Sequence, residues 1–453
     1  MKTMQWQILV VALVVTLGAG GAWAQSPSGG SGVQGIQLNL SSPGARSLAL
    51  GGAFIGLADD ATAAYTNPAG LTTLSASEIS VEGRSLDYTG IFLDGGHLFG
   101  TPTGIGINTV AGPTFIEPSE SVTNLSFLSY VHAGEGWAVA LYRHQLADYE
   151  MTQQTQGAYV GDPATFLGRF FPTQGGLAVE IANYGLSTAV SLSETLTLGL
   201  GVSYYDFDLS SQVDRYDFFF GPVDGPGGPF GPPDFSPANL LLSDVQSGSD
   251  TDWGFNVGLM WRATDRFSIG AVYRQDPEFE FSARGVCGPS DPDFCEANQA
   301  YAATGTFNVP TVYGAGFAWR ATDAFTIAVD WSRVEWSNLL PYYAVNLTSS
   351  ELAQFEIDDA DQFHFGIEYV LTGMKYPLAL RAGSWLEPAH NLVFTGVDNP
   401  FYEVANLAAD QIDDEWHFTG GLGLVVGSKF QVDVAFDLSE WIDVYSLSAV
   451  FRF

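Results

Sequence analysis

Residues 253–261 read WGFNVGLMW, and their apolar side chains recur at every second position. The apolar face of an extended chain here carries Trp253, Phe255, Val257, Leu259 and Trp261. The opposite face carries Gly254, Asn256 and Gly258. A period of two predicts a β-strand, and this one has one apolar face and one small or polar face.

The same alternation returns in residues 196–204, 363–371 and 430–436. A soluble sandwich turns its apolar faces inward and exposes Lys and Glu, not Gly, Ser and Thr. We therefore predict that the apolar faces meet lipid and that the small faces line a lumen. Trp253 and Trp261, at opposite ends of one strand, are typical of the two aromatic girdles of a transmembrane β-barrel.

Connections between the strands alternate between short and long, as in outer-membrane barrels with tight periplasmic turns and long outer loops. The short turns are predicted at residues 132–136, 193–194, 262–265, 320–323, 372–376 and 427–428. The long connections are predicted near residues 147–182, 210–250, 285–305, 334–360 and 386–414. This count predicts an all-β fold, an antiparallel barrel of about fourteen strands that begins near residue 78. Residues 87–121 stay unassigned, and an extra hairpin there would make about sixteen.

Both ends of the chain carry signals of export. Lys2 precedes the apolar run ILVVALVVTL at residues 8–17, and Ala22-Trp23-Ala24 offers small residues for cleavage, so residues 1–24 are predicted to be a signal peptide. The run is shorter than the ~20 residues of a spanning helix, which disfavours an uncleaved anchor. The last strand, YSLSAVFRF, ends in an aromatic residue, as is usual in chains delivered to the barrel assembly machinery.

Composition excludes two classes of protein. The formal charge is −34 with only 16 Lys and Arg, so no cationic stripe is available for nucleic acid. A disordered acidic chain is also excluded, because 46% of the residues are hydrophobic and 14% are aromatic. The chain is predicted to fold without nucleic acid and without a cofactor.

The chain has two cysteines, Cys287 and Cys295. A disulfide that closes a small loop is favoured over free thiols in an oxidising compartment. A metal site is disfavoured, because two thiolates without a nearby His leave a tetrahedral ion half-coordinated. We therefore predict no metal site.

The segment before the first strand reads GIQLNLSSPGARSLALGGAFIGLADDATAAYTNPAGL at residues 35–71. It resembles the amino-terminal signature of the FadL long-chain fatty-acid transporter family, to which the hydrocarbon transporters related to TodX also belong. The resemblance rests on the small-residue run 48–56, the pair Asp59-Asp60 and the run Asn67-Pro68-Ala69-Gly70. It implies a luminal hatch, or plug, at residues 25–77 and a barrel with long extracellular loops at residues 78–453.

The residues of this segment also support a plug on their own chemistry. Gly51, Gly52 and their small neighbours are too small to build a core but can pack closely inside a lumen. Asp59 and Asp60 are expected to accept backbone N–H groups, and Asn67 before Pro68 is expected to form a turn. Local capping alone is the alternative interpretation of these residues.

Two long connections contain apolar clusters that typically mark binding surfaces. The candidate ligand-binding residues are Phe166, Phe170, Phe171, Tyr216, Phe218, Phe219, Phe220 and Phe230. The alternative is that these loops fold over each other as a lid. Arg381 is a further candidate for a ligand carboxylate, although an ion pair with an inward-facing acid is the favoured role.

The resemblance implies passive uptake of hydrophobic compounds across the bacterial outer membrane. In that family, outer loops capture the ligand, the hatch moves, and a kinked third strand, here residues 137–150, opens a lateral exit into the bilayer. Long-chain fatty acids are the expected substrate, and aromatic hydrocarbons are the close alternative. A scaffold for protein export is a different class. An esterase is least supported, because no G-x-S-x-G motif occurs. The expected surroundings are outer-membrane lipid and lipopolysaccharide, and the protein is expected to be monomeric.

Overall fold

The computed structural model describes residues 36–162, 166–169, 172–216, 219–221, 230–275, 277–290, 299–343, 345, 349–396, 406–407, 409–427 and 429–453. One antiparallel sheet dominates these residues and closes on itself as a barrel. The last strand pairs with the first, from Glu78 opposite Arg452 to Tyr88 opposite Ile442. This closure confirms the predicted fold class.

Fourteen strands form the wall. In chain order they are β1 (Glu78–Thr89), β2 (Ser119–Gly134), β3 (Trp137–Thr155), β4 (Thr173–Ser191), β5 (Leu196–Tyr216), β6 (Leu240–Thr264), β7 (Phe267–Gln275 and Glu278–Cys287), β8 (Ala300–Asn308 and Val312–Arg320), β9 (Phe325–Val334), β10 (Ala360–Leu371), β11 (Leu378–Glu387), β12 (Glu415–Val426), β13 (Phe430–Leu438) and β14 (Ile442–Arg452). Both pieces of β7 pair with β6, and both pieces of β8 pair with β7. The alternative of sixteen wall strands is therefore wrong.

The apolar phase of the strands faces outward, as predicted. Trp253 is 63% exposed, Phe363 58% and Leu447 57%. The alternate positions face inward and are buried, for example Thr197 and Asp433. Because burial of polar groups and exposure of large apolar groups is the reverse of a soluble protein, the outer face is suited to lipid.

The long connections start later and end earlier than predicted. β3 extends to Thr155, β5 extends to Tyr216, and β6 already begins at Leu240. Beyond the wall, the first three outer connections join in one five-stranded sheet, which we call the outer sheet. Its strands are Phe92–Gly100, Gly112–Ile116, Tyr159–Asp162, Phe166–Arg169 and Phe219–Gly221. The previously unassigned residues 87–121 thus contribute to β1, β2 and the outer sheet.

Short helices occur before the wall and in the outer connections. Before β1 lie the α-helices Ala45–Ala49 and Ala63–Thr66 and the 3₁₀ helix Pro68–Thr73. In the outer connections lie the 3₁₀ helices Pro237–Asn239 and Trp336–Leu339 and the α-helices Leu340–Tyr343 and Ser349–Leu352, with a small ladder between Phe355–Glu356 and Val393–Phe394. Over the described ranges, no helix has both the length and the apolar character needed to cross a membrane. The predicted signal peptide lies outside the described residues.

Candidate functional site

Residues 36–77, which we call the leading segment, pack against the small inward face of the wall. A Cβ atom added to Gly366 would lie 2.4 Å from the carbonyl oxygen of Leu50. One added to Gly199 would lie 2.2 Å from the backbone nitrogen of Ala69. The glycines of the wall strands therefore leave the space that the backbone of the leading segment occupies.

Polar side chains of the wall bind the backbone of the leading segment all around the ring. The bonds are Ser187 Oγ to Ala64 O (2.6 Å), Ser268 Oγ to Gly56 O (2.6 Å), Ile55 N to Asp330 Oδ2 (2.6 Å), His364 Nδ1 to Gly51 O (2.7 Å) and Thr419 Oγ1 to Ala49 O (3.2 Å). They come from β4, β7, β9, β10 and β12. The segment thus lies inside the ring of strands, and its non-helical backbone groups find partners there.

Asn67 links two turns of the leading segment to the wall. Its Oδ1 accepts a hydrogen bond from Ala69 N at 3.2 Å, the local turn that the sequence predicted. Its Nδ2 donates to Ile55 O at 3.0 Å and to Leu259 O of β6 at 3.2 Å. Local capping and attachment to the wall are therefore both present in this fully buried side chain.

Arg46 organises the charges of the leading segment. Its Nη1 lies 2.5 Å from Asp59 Oδ1 and 3.6 Å from Asp60 Oδ2, and its Nε lies 3.0 Å from Glu368 Oε2 of β10. Burial alone would lower the pKa of Arg46, but the three carboxylates outweigh it and hold that pKa well above its ordinary value. Burial raises the pKa of Asp60 despite Arg46, while Thr62 N donates to Asp60 Oδ1 at 2.9 Å.

Arg381 makes two buried ion pairs in the wall. Its Nε lies 2.7 Å from Glu368 Oε2, and its Nη1 lies 2.7 Å from Asp433 Oδ1. Its guanidinium is almost fully buried, and both contacts neutralise it. This geometry favours the structural pairing that the sequence also suggested, and the role of Arg381 towards a ligand carboxylate stays a prediction.

The ladder between β2 and β3 is incomplete in the outer half of the wall. These strands pair only from Gly134–Trp137 to Phe127–His144. Beyond that point β2 still pairs with β1 as far as Ser119, and β3 still pairs with β4 as far as Thr155. We call the unpaired interval between β2 residues 119–126 and β3 residues 145–155 the seam. It lies in the outer half of the wall, within the strand that the resemblance suggested.

One extra residue in each strand marks the inner end of the seam. Ser126 has no partner in β1, and Leu146 has no partner in β4. Such bulges bend the strand and increase its twist. In β3 the buried phase passes from Tyr142 and His144 to Tyr149 and Met151, from even to odd positions. The loss of alternation after Tyr142 was the only sign of this kink in the sequence.

The leading segment attaches to β3 at the bulge. Asn39 N donates to Leu146 O at 2.6 Å, and Asn39 Nδ2 lies 3.1 Å from His144 Nε2. Arg84 Nη1 of β1 donates to Asn39 Oδ1 at 2.8 Å, and Arg84 Nε donates to Glu82 Oε1 at 2.7 Å. Residues 39, 82, 84 and 144 therefore connect the leading segment, the first strand and the kinked strand. Sequence reasoning did not identify Glu82 or Arg84.

An apolar cluster occupies the outer part of the lumen, and we call it the outer apolar cluster. Its members include Phe207, Phe279, Phe281, Phe307, Trp336, Leu339, Tyr342, Phe355, Leu392 and Phe394 from the wall and the outer connections, and Ile36, Leu146 and Ala147 at the leading segment and the bulge. The rings of Phe207 and Phe279 stack with centroids 4.5 Å apart. Apolar surface thus continues from the outer connections to the inner end of the seam.

A cavity of about 50 Å³ lies where the leading segment meets the wall. Its lining includes Ser42, Tyr65, Arg274, Asp330 and His364. It is several times smaller than pockets that hold drug-sized ligands, which are ~300 Å³ or more. In this conformation it has room for a few water molecules but not for an acyl chain.

The candidate ligand-binding residues predicted in the long connections fall into three groups. Tyr216 and Phe230 are buried, Tyr216 against Phe235 (ring centroids 5.0 Å apart) and Phe230 against Tyr159 (6.3 Å). Phe166, Phe219 and Phe220 lie in strands of the outer sheet. Phe170, Phe171 and Phe218 lie outside the described residues.

Cys287 is disulfide-bonded at the end of β7, and Cys295 lies outside the described residues.

Residues 26–391 match the family described as "Outer membrane protein transport protein (OMPP1/FadL/TodX)". The chain matches no curated protein sequence.

Several solved structures share the fold over nearly their whole length. A FadL homologue from Pseudomonas aeruginosa is 14% identical, with 92% of this chain and 100% of that chain covered and a TM-score of 0.64. The toluene transporter TbuX of Ralstonia pickettii is 16% identical, with 92% and 99% covered and a TM-score of 0.55. The toluene transporter TodX of P. putida is 13% identical, with 92% and 99% covered and a TM-score of 0.53.

Proposed function

Because this chain belongs to the OMPP1/FadL/TodX family of outer membrane transport proteins, we propose that it carries long-chain fatty acids from the cell exterior into the outer-membrane bilayer. Membership makes it an outer-membrane transporter of hydrophobic compounds. The identity of the compound and the route are our proposal. The observation that carries the route is the seam, where the β2–β3 ladder ends although both strands continue, with apolar side chains at its inner end.

The first step is capture from outside. The proposed capture surface is the outer sheet, whose strands contain Phe166, Phe219 and Phe220. Phe170, Phe171 and Phe218 stay capture residues predicted from the sequence alone. Each CH₂ group that leaves water contributes about 0.8 kcal/mol, so an acyl chain binds apolar surface without covalent chemistry. Tyr216 and Phe230 are buried, which instead supports a lid role for the segments that contain them.

The second step is transfer into the outer apolar cluster. This cluster joins the outer connections to Leu146 and Ala147, so a flexible chain that enters it arrives next to the seam. No cavity for a ligand is needed beforehand if loop side chains and the leading segment move apart as the ligand chain enters.

The proposed hatch is residues 25–77, with the barrel at residues 78–453 and the signal peptide at residues 1–24.

The third step is lateral release. A β-ladder closes a wall through its backbone bonds, and the seam lacks those bonds. Side chains bridge it instead, with Asn124 Nδ2 to Asp148 Oδ2 at 2.8 Å and Thr152 Oγ1 to Glu120 Oε1 at 3.1 Å. Side-chain bonds of this kind contribute about 1 kcal/mol each, so separating them costs far less than breaking a ladder.

Neutral aromatic hydrocarbons are the second candidate substrate. The stacked rings of Phe207 and Phe279 and the tilted ring of Phe307 favour them, because flat rings suit stacked or edge-to-face contacts. A chain-like ligand is favoured instead by the extent of the apolar surface. The assembly machinery, lipopolysaccharide contact and the monomeric state stay predictions.

The test compares uptake of labelled oleate and labelled toluene in cells with and without the protein. Deletion of Leu146 removes the bulge and joins the two buried phases of β3, so the β2–β3 ladder can continue outward. We expect this variant to assemble and to lose uptake, whereas deletion of Gly373, in the turn after β10, retains it. An assembled Leu146 deletion that still imports its substrate would refute lateral release. Uptake of toluene alone would transfer the proposal to hydrocarbons.

A further inference from the structure

Three metal-ligating side chains converge at the outer end of the lumen. Glu387 is the last residue of β11, and it lies opposite Glu415, the first residue of β12. His417 lies two residues further along β12. Its Nε2 atom is 3.7 Å from Glu387 Oε2 and 3.8 Å from Glu415 Oε2. One ligand atom from each of the three residues lies within 4.8 Å of the others.

The imidazole of His417 has a free nitrogen that points into this cluster. The residue is only 1% exposed, and its Nε2 has no hydrogen-bond partner within the described part of the chain. The two carboxylate distances are too long for hydrogen bonds, which span ~2.7–3.2 Å. A buried polar nitrogen without a partner is costly, so its position between two carboxylates indicates a missing group.

The other side of the His417 ring is fixed. Its Nδ1 lies 3.1 Å from Asp437 Oδ1, and the ring stacks on Trp385 with centroids 3.8 Å apart. A histidine that ligates a metal usually binds a carboxylate through its second nitrogen, which fixes the tautomer and the ring orientation. Asp437 is placed to do this, with Nε2 left as the ligand atom.

In each glutamate, one oxygen faces another protein group and the other oxygen faces His417. Glu415 Oε1 accepts a hydrogen bond from Trp441 N at 2.7 Å. Gln362 Nε2 lies 3.4 Å from Glu387 Oε1. The remaining oxygen of each carboxylate, Oε2, is the one that approaches the imidazole. This arrangement places one oxygen of each carboxylate where it could ligate an ion together with His417 Nε2.

The charge of the cluster also favours a bound cation. Three carboxylates surround one imidazole, and the side chains of Glu387, Glu415 and Asp437 are only 16%, 9% and 4% exposed. Buried carboxylates are costly unless they are paired or coordinate a metal. A single imidazolium would leave the cluster with excess negative charge, whereas a divalent ion compensates more of it.

We propose that Glu387, Glu415 and His417 bind a divalent transition-metal ion, with Zn²⁺ as the reference ion. A tetrahedral ion with ligand distances of ~2.0–2.2 Å separates two ligand atoms by about 3.5 Å, close to the spacing here. Imidazole favours Zn²⁺ and its neighbours, whereas Ca²⁺ and Mg²⁺ prefer oxygen alone. The ion would join the two ends of the connection at residues 388–414. This inference does not rest on the proposed function.

The experiment uses the full barrel purified in detergent and stripped with a chelator. Equilibrium dialysis against Zn²⁺ is expected to give one ion per chain, and Co²⁺ is expected to give visible absorption bands that Zn²⁺ removes. Glu387→Gln and Glu415→Gln keep the side-chain shape and remove a ligand charge, and each is expected to weaken Zn²⁺ binding at least about tenfold. Asp437→Asn is expected to weaken it by about 10–100-fold through His417.

Asp413→Asn is the matched control, because Asp413 is an exposed acid two residues before Glu415. It is expected to bind Zn²⁺ like the parent chain. Zn²⁺ is also expected to raise the thermal stability of the parent and of Asp413→Asn, but not of Glu387→Gln. The proposal is overturned if the parent chain binds no stoichiometric Zn²⁺, which would leave His417 as a protonated partner of the acids. Equal binding by Glu387→Gln and the parent would also overturn it.

Discussion

The β5–β6 ladder and the β2–β3 ladder both begin at the periplasmic end of the wall and then differ. β5 and β6 pair along the whole wall, from Leu196–Trp261 to Tyr216–Leu240, with one shift at the outer tip. β2 and β3 stop pairing at Phe127–His144 although both strands continue. The difference is one bulge residue in each strand of the second pair.

The comparison shows how one ladder of a closed barrel can end early without the loss of a strand. Because side chains alternate with a period of two, one added residue reverses the face of everything that follows. In β3 the sequence after Leu146 compensates, since Tyr149 and Met151 resume the buried phase at odd positions. The ladder to β4 therefore survives, and only the ladder to β2 is lost.

The largest effect is expected from a residue inserted into β5, because the sequence after the insertion would not resume the buried phase. Insertion of one Ala between Leu200 and Gly201 of β5 would turn the following apolar residues into the lumen. We expect the barrel to fail to assemble, measured as loss of the folded, heat-modifiable form from the outer membrane. The matched variant has one Ala added next to the existing bulge at Leu146, and we expect it to assemble. Assembly of the β5 variant in normal amount would mean that register does not distinguish the two ladders.

The sequence predicted the parts of the fold that depend on period and composition. The outward face at Trp253 and the short turns follow from alternation and turn residues alone. The kink was visible only as a fading pattern after Tyr142, because a bulge is defined by its partner strand. The Glu82–Arg84 pair was missed because two charges on one strand face become a site only when Asn39 meets them from far along the chain. The cluster at His417 was missed for the same reason.

The next effect concerns the buried charges that fix the leading segment beside the seam. Glu82 is fully buried and accepts bonds from Arg84 Nε at 2.7 Å and Gly44 N at 2.8 Å. Arg84→Met would leave this carboxylate without its cation, which is expected to lower the free energy of unfolding by about 3–5 kcal/mol. Urea titration of the detergent-solubilised barrel measures this change.

A matched variant tests whether burial of the charge causes this loss of stability. Arg266→Met removes an exposed ion pair with Asp323 at a periplasmic turn, and we expect a loss of about 0–1 kcal/mol. The double variant of Arg84→Met with Glu82→Gln is expected to recover part of the loss, because no uncompensated charge stays buried. Equal losses for Arg84→Met and Arg266→Met would contradict this explanation.

The third effect concerns the contact between leading segment and intact wall. A methyl group at Gly366 would lie 2.4 Å from Leu50 O, so Gly366→Ala must displace the segment or strain it. We expect a cost of about 1–3 kcal/mol and higher permeability to small polar solutes, measured by liposome swelling. Gly373→Ala is the control, because nothing lies within 4 Å of its added Cβ. Unchanged permeability with Gly366→Ala would mean that the segment does not limit passage through the lumen.

The smallest expected effect comes from the loss of one side-chain hydrogen bond. It is compared between a bond across the seam and a bond across a complete ladder. Asn124 Nδ2 binds Asp148 Oδ2 at 2.8 Å where no backbone ladder joins β2 to β3. Ser243 Oγ binds Asp214 Oδ1 at 2.6 Å between β6 and β5, whose backbones are paired there. Asn124→Ala is expected to cost about 1 kcal/mol locally, which corresponds to roughly fivefold faster amide hydrogen exchange in residues 145–155. Ser243→Ala is expected to leave exchange in its own strand unchanged, because the ladder still holds that strand. If both variants change exchange equally, the seam is no weaker than the rest of the wall, and lateral release would have to occur elsewhere.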